Sequence, residues 1–327
     1  MRRKNFLIVS ALTALIALCC AGVAGAVEVD KALPTYQKVG GVSGELKTVG
    51  SDTLNNLMAM WSEGFRSTYP GVKFSIEGKG SSTSPPALIE GTSNLGPMSR
   101  EMKDKEIDAF EKRFGYEPSR IRVAVDALAV FVHKDNPIKC LSLPQVDAIF
   151  SKSQKGGFGK DITTWGDLGL TGEWASKPIS LYGRNSASGT YGYFKEVALY
   201  KGDYKDTVKE QPGSSAVVQG IATDKYAIGY SGVGYKTADV RVVPLSLDSS
   251  SPCFEANAEN AYSGDYPLAR FLYIYLNKDP NRALDPLQRE FIKYIFSQKG
   301  QEIVIKDGFY PVSNDLAKSD MEALDIK

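Results

Sequence analysis

Strand-like and helix-like hydrophobic patterns alternate along this chain. Leu46-Lys47-Thr48-Val49 reads as a short strand. It runs into Gly50-Ser51-Asp52-Thr53, and Leu54, Leu57, Met58, Trp61 and Phe65 then fall on one helical face. Val72 to Glu77 reads as the next strand, ending in Gly78-Lys79-Gly80-Ser81-Ser82-Thr83 before a helix that starts near Pro85-Pro86, where proline suits a first turn. Asn94 to Met98 is a third strand, ending at Ser99-Arg100 before an amphipathic helix with Ile107, Phe110 and Phe114. The same strand–loop–helix order returns between Ile179 and Phe194. Two longer apolar strands, Arg122 to His133 and Leu268 to Leu276, bracket the middle of the chain. The tail reads as helical, with Asp285 as cap, Pro286 at the first position, and Leu287, Phe291, Ile292 and Ile295 on the apolar face. This alternation predicts an α/β protein. Its 327 residues suit two lobes better than one core. The long strands place a first lobe in 27–134 plus 266–327 and a second in 135–265, with the chain crossing over and returning.

The loops carry the candidate chemistry. In open α/β sheets, ligands sit at the carboxyl ends of strands beside helix N-termini. Four such ends carry hydroxyls here. The fullest is Arg184-Asn185-Ser186-Ala187-Ser188-Gly189-Thr190, followed by a helical pattern from Tyr191. A helix N-terminus offers unpaired N–H groups and the positive end of a dipole, so it holds an anion without a metal. Ser188 and Thr190 add O–H donors, Gly189 permits close approach, and Arg184 adds a planar cation that matches a tetrahedral oxyanion. Cap preference alone explains one hydroxyl per loop. It explains Ser81-Ser82-Thr83 and Ser188-Gly189-Thr190 less well.

Charge narrows the partners. The chain holds 39 Lys and Arg against 38 Asp and Glu, a formal net charge of +1. Subtracting Arg2, Arg3 and Lys4 of the N-terminus from those 39 leaves 36 against 38 acidic residues. No basic excess or stripe points to nucleic acid. An anion must be drawn by local dipoles and a few side chains. The single histidine, His133, ends a strand, and no cluster of metal-ligand spacing appears, so neither a metal nor a cofactor is expected. A hydrolase reading lacks both a base and a nucleophile elbow.

The N-terminus reads as a secretory signal over 1–26. Arg2, Arg3 and Lys4 are its basic part, Phe6 to Leu18 is apolar but too short to span comfortably, and Ala24-Gly25-Ala26 fits a cleavage site. Cys19 and Cys20 end the apolar run and open a competing lipoprotein reading; Leu18 or Cys19 stands where a small residue is wanted. The first reading predicts an exported, periplasmic product. Cys140 and Cys253 then face an oxidising compartment, where pairing is expected; two buried free thiols are the alternative.

These loops together resemble the exported phosphate-binding proteins of bacterial ABC-type phosphate importers. The matching segments are Gly50-Ser51-Asp52-Thr53-Leu54, Gly80-Ser81-Ser82-Thr83, Gly96-Pro97-Met98-Ser99-Arg100 and Arg184 through Thr190, with Tyr226 to Tyr230 and Tyr266 to Arg270 in support. The resemblance covers roughly 45–312. It implies a two-lobed periplasmic-binding-protein-like fold of type II, its lobes joined by crossing hinge strands, with one dehydrated phosphate clamped between them. It implies ligand contacts from Thr53 and the Leu54 amide, from Ser82 with Ser81, and from Arg184, Ser188, Gly189 and Thr190. It also implies a membrane permease and ATPase subunits as partners, and a monomeric receptor. The third loop departs from the family pattern. Where an aspartate is usual after a serine, Arg100 or Ser99 stands, depending on the match. Two readings follow for Asp52: it takes over as acceptor of the ligand's proton, or it caps the helix. Arg100 pairs with the ion or Asp52, or faces solvent. Sulfate, molybdate or an organic phosphate would meet the same donors, so the oxyanion itself stays open.

Overall fold

The structure is a computed structural model that describes residues 27–327. The segment 1–26 read as a signal peptide, with Cys19 and Cys20, lies outside the described residues. In chain order, β1 (Glu45–Val49) leads to α1 (Asn55–Arg66), β2 (Lys73–Glu77) to α2 (Ser84–Ile89), and β3 (Leu95–Met98) to α3 (Asp104–Phe114). The long β4 (Ser119–His133) runs out to β5 (Leu141–Ser142), α4 (Leu143–Phe150), β6 (Ser180–Arg184), α5 (Gly189–Val197), β7 (Lys209–Gln211) and α6 (Ser214–Thr223). There follow β8 (Ala227–Gly232), β9 (Val240–Val242), β10 (Leu245–Ser246) and α7 (Ala258–Ser263). The returning strand is β11 (Ala269–Leu276), and α8 (Pro286–Ile295), α9 (Gln298–Lys306) and α10 (Asn314–Glu322) close the chain.

Among the described residues, one nine-stranded sheet runs β2-β1-β3-β11-β4-β8-β6-β7, with β9 paired to β4. β1 is parallel to both β2 and β3, and β6 to both β7 and β8, as strand–helix–strand connections require. The antiparallel centre is β4 and β11. β4 pairs with β11 through its first half and with β8 through its second, so one strand belongs to both halves of the molecule. The fold is therefore two α/β lobes joined by crossing strands.

Two hydrophobic cores flank the crossing. The first packs Leu57, Met58, Trp61 and Phe65 of α1 against Phe291, Ile292 and Ile295 of α8, joining the N-terminal third to the tail. Trp61 seals the join by donating from Nε1 to the Gly300 carbonyl at 2.8 Å. The second gathers Phe150, Phe194, Ile228 and Tyr230 around Leu128, Val130 and Val132 of β4. Along β4 the change of core falls between Ala124 and Val125, and Tyr310 of the tail joins the second core. β4 thus passes from one core to the other within its own length, beside its buried Asp126.

Several local expectations hold in detail. Asp285 caps α8 by accepting from Leu287 and Gln288, with Pro286 in the first turn. The helix after the Arg184 loop begins at Gly189, two residues before Tyr191, because the Ser188 hydroxyl caps it. Ser51, rather than Asp52, caps the first turn, so the cap reading of Asp52 is wrong. Cys140 and Cys253 are joined in a disulfide across a separation of 113 residues. In the chain-entropy view, such a loop is worth about 4–5 kcal/mol. Replacing both cysteines by serine is expected to lower chemical-denaturation stability by about 2–5 kcal/mol while leaving ligand affinity within about twofold, because the bond lies in the second lobe between β4–β5 and the segment after β10; urea melts and titration check both.

Candidate functional site

The four loops converge where the lobes meet. Asp52–Leu54 and Ser81–Thr83 each form a single 3₁₀ turn at the end of a strand and run directly into α1 and α2. Ser99 follows β3, and Arg184 is the last residue of β6. Ser51, Thr53, Ser81, Ser99, Arg184, Ser188 and Thr190 are all buried, each at 3 % exposure or less. Hydroxyls of this density in a dry seam need partners. They find one another: Ser51 Oγ donates to Ser99 Oγ at 2.9 Å, Ser81 and Ser99 Oγ stand 3.3 Å apart, and Thr53 and Thr190 Oγ1 meet at 3.0 Å across the lobes.

Direction matters more than proximity. Ser51 Oγ already accepts the Thr53 N–H, Ser81 Oγ accepts that of Ser99, and Ser188 Oγ accepts those of Thr190 and Tyr191. An N–H can only donate, so each hydroxyl spends a lone pair on the backbone and keeps its proton to give. The Ser51 proton goes to Ser99, so the O–H donors left to suit an anion are at the Ser81–Ser99 pair and at Ser188.

Arg184 supplies the charge. Its side chain is 1 % exposed. Nη1 donates to Ser214 Oγ at 2.7 Å and Nη2 to the Pro212 carbonyl at 3.2 Å, while Nε is buried without a hydrogen-bond partner. Burial pushes its pKa down and the neighbouring Asp52 pulls it back up. Asp52 comes from the other lobe. One of its carboxylate oxygens lies 3.3 Å from Arg184 Nη2 and accepts the Ser214 N–H at 2.8 Å, at the start of α6. Asp52 is thus built in as the counter-ion of Arg184. Tyr235 fastens the same turn by donating to the carbonyls of Asp52 and Thr53 at 3.2 and 3.0 Å.

Glycine makes the seam close enough. Gly80 has φ near +118°, and a β-carbon there would lie 2.5 Å from the Ala187 carbonyl oxygen of the opposite lobe. The Ser82 N–H donates to that same carbonyl at 3.1 Å. Leu54 is fully buried in the first core, which fixes the turn that carries its amide.

Of the expectations for Arg100, pairing with Asp52 and facing solvent do not hold. Its guanidinium forms a two-pronged pair with Glu106, 2.8 Å on each side, and reaches Ser82 Oγ at 3.3 Å. It neither meets Asp52 nor faces solvent. Burial raises the Glu106 pKa, but the bonds from Arg100 outweigh it and hold the carboxyl below its usual value. Ser82 is half-buried on the rim, where Ser82, Arg100, Lys103, Ser188 and Lys195 line a cavity of about 430 Å³ between the lobes. Ser82, Arg100 and Ser188 therefore line the mouth, and Ser51, Thr53, Ser81, Ser99, Arg184 and Thr190 are buried in the seam.

Four residues escaped the sequence reading: Ser214, Tyr235, Asp126 and Arg270. Asp126 and Arg270 form a buried pair at 2.8 Å on the two crossing strands. A signal for them existed, since each is a lone charge of opposite sign inside an apolar strand. Among the described residues, no group of three or more His, Cys, Asp or Glu is placed to hold a metal ion, and no helix is long and apolar enough to cross a membrane.

Donor hydroxyls and a buried guanidinium gathered between two lobes are the layout of a clamp-type substrate-binding protein. The chain matches the PBP superfamily domain over residues 36–299. It is 55 % identical over 318 residues to the phosphate-binding protein PstS of Pseudomonas aeruginosa, covering 96 % of this chain and 98 % of that one. It is 27 % identical over 317 residues to PstS of Bacillus subtilis, covering 95 % and 96 %. Among solved structures, a putative phosphate ABC transporter substrate-binding protein from Clostridium perfringens, crystallised with bound phosphate, superposes with a TM-score of 0.70 at 27 % identity, covering 83 % of this chain and all of that one. The chain belongs to the PBP superfamily and, within it, to the PstS family of substrate-binding proteins. These relatives are named as phosphate-binding and transporter substrate-binding proteins.

Proposed function

We propose that this protein is an exported receptor that captures inorganic phosphate by closing its two lobes and delivers it to the permease and ATPase subunits of an ABC importer. The observation that carries the reading is Arg184: a buried guanidinium with a free Nε–H, paired with Asp52 of the opposite lobe, whose neighbour Thr53 meets Thr190 across the seam. Burying a cation is costly without an anion, and Asp52 offsets the charge only in part. A phosphate arriving through the cationic mouth exchanges its water shell for O–H and N–H donors. Thr53 and Ser81 act from one lobe and Arg184, Ser188, Gly189 and Thr190 from the other, so both sets engage together only when the lobes meet. Differential binding to the closed form is what drives closure. The moving units are 27–134 with 266–327, and 135–265, and the receptor works as a monomer without a cofactor. The relatives' names and the apolar, basic-led N-terminus support phosphate and export respectively.

Titration calorimetry with phosphate, sulfate and arsenate, after stripping bound ligand under denaturing conditions, tests the reading. Tight, one-to-one phosphate binding is expected; no response at millimolar phosphate refutes it. Asp52 is the acceptor for the phosphate proton in this scheme, since an ionised carboxylate repels an unprotonated sulfate. Asp52→Asn is therefore expected to narrow the phosphate-over-sulfate ratio by about 10-fold or more, the scale of one hydrogen bond to a charged group. Competition titrations of the two anions read that ratio, and an unchanged value removes Asp52 from the selectivity.

A further inference from the structure

We propose that Arg270 is a positioning residue that couples closure of the hinge to the hydroxyl of Thr190; the proposal rests on the phosphate-clamp reading above. Arg270 on β11 and Asp126 on β4 are direct register partners in the crossing strands. Their side chains are 3 % and 0 % exposed. Arg270 donates from Nε and Nη2 to one Asp126 oxygen at 3.0 and 2.8 Å, while the other Asp126 oxygen accepts the Val233 N–H. Tyr193 of α5 covers the guanidinium with its ring at 5.2 Å. The cation is thus fixed in place on the hinge itself.

What remains of its donor set points to both lobes. Nη1 donates to the Ser99 carbonyl at 2.7 Å, on the loop after β3 in the first lobe. Nη2 also donates to Thr190 Oγ1 at 3.0 Å, at the start of α5 in the second. One rigid fork therefore holds a loop of each lobe. It reaches both only while they face each other as they do here. A guanidinium has no acceptor, so Thr190 Oγ1 must accept from it. The single Thr190 proton is then aimed away from Arg270, towards Thr53 Oγ1 at 3.0 Å or an anion in the seam. Arg270 acts through Thr190: held to its own lobe by the Ser99 carbonyl, it gains the Thr190 contact only on closure and then selects the direction of that proton.

The test is a double-mutant cycle read by phosphate titration. Arg270→Gln alone strands Asp126, so the working variant is the charge-neutral Asp126→Asn/Arg270→Gln, with Arg270→Lys beside it to keep the ion pair but lose the fork. Both are expected to melt cooperatively and to bind phosphate about 10- to 100-fold more weakly. In a Thr190→Val background the same changes are expected to weaken binding further by no more than about threefold, because the hydroxyl they orient is gone. Affinity within about twofold of the unmodified chain in Arg270→Lys, or in the double variant, overturns the proposal. So does an undiminished loss in the Thr190→Val background, which is what a merely structural pair would show. An unmodified chain that ignores phosphate refutes the function itself, and that failure is seen before any variant is made.

Discussion

Arg184→Met is expected to abolish phosphate capture without weakening the ligand-free fold. The guanidinium occupies a place that no other cation among the described residues shares: 1 % exposed, in the seam, with one N–H unspent. Removing the charge-assisted bond from that N–H, and the buried positive charge with it, costs about 100-fold in affinity for a dianion. Stability moves the other way. Burial lowers the Arg184 pKa, which is the signature of a charge held where solvent would favour it more. Replacing it with an apolar chain of similar length removes that cost, and the penalty for breaking a buried pair is avoided because the partner left behind, Asp52, is not itself buried. Asp52, a quarter exposed, keeps its bond to the Ser214 amide and reaches water. The expected pattern is a ligand-free melting midpoint equal to or above that of the unmodified protein, and no upward shift on adding phosphate. In the unmodified protein, phosphate at 100 times its dissociation constant adds about 2.7 kcal/mol. Thermal melts with and without phosphate measure both halves; a retained shift in Arg184→Met refutes the central role of the residue.

The legible and illegible parts of this chain differ for physical reasons. Local rules carried the elements whose ends are set by neighbours in sequence. Asp285-Pro286 caps α8 as read, and the hydroxyl loops after β1, β2, β3 and β6 do meet. Convergence was inferable because each loop ends a strand of the same sheet, and strand ends of parallel pairs lie together. Non-local pairing was not inferable. Arg100 was assigned between ligand, Asp52 and solvent, and is instead claimed by Glu106 from the next helix. Asp52 looked like a cap because caps are local, whereas its real partners, Arg184 and Ser214, lie more than 130 residues away. The change of core lies inside β4, where ten consecutive buried residues, Val123 to Val132, are apolar but for Asp126 and so carry no periodic mark of it. Arg270 and Asp126 were legible as anomalies, single charges in apolar strands, and such anomalies mark function because a fold built for stability alone would not bury them.

Gly189→Ala isolates closure from everything else the site does. Gly189 sits at the first position of α5 with an ordinary negative φ, so alanine fits the backbone and, as a better helix former, stabilises the second lobe by about 0.5–1 kcal/mol. The obstacle is across the seam. An added β-carbon would lie 2.2 Å from Ser81 Oγ and 2.7 Å from Ser99 Oγ. Neither hydroxyl can simply swing away: Ser81 Oγ is held by the Ser99 amide and Ser99 Oγ by Ser51. The lobes must therefore stop short of full contact, and Thr53 and Ser81 lose the anion that Ser188 and Thr190 still hold. Phosphate affinity is expected to fall by about 100-fold, the loss of two donor contacts to a charged ligand, while the ligand-free melt rises slightly. Small-angle scattering with saturating phosphate should then report a radius of gyration that stays at the ligand-free value instead of contracting. Gly80→Ala is the contrasting case. Its positive φ adds backbone strain to the same kind of clash, so it should lose both affinity and stability. If Gly189→Ala binds phosphate and contracts like the unmodified protein, the seam is not where the ion is held.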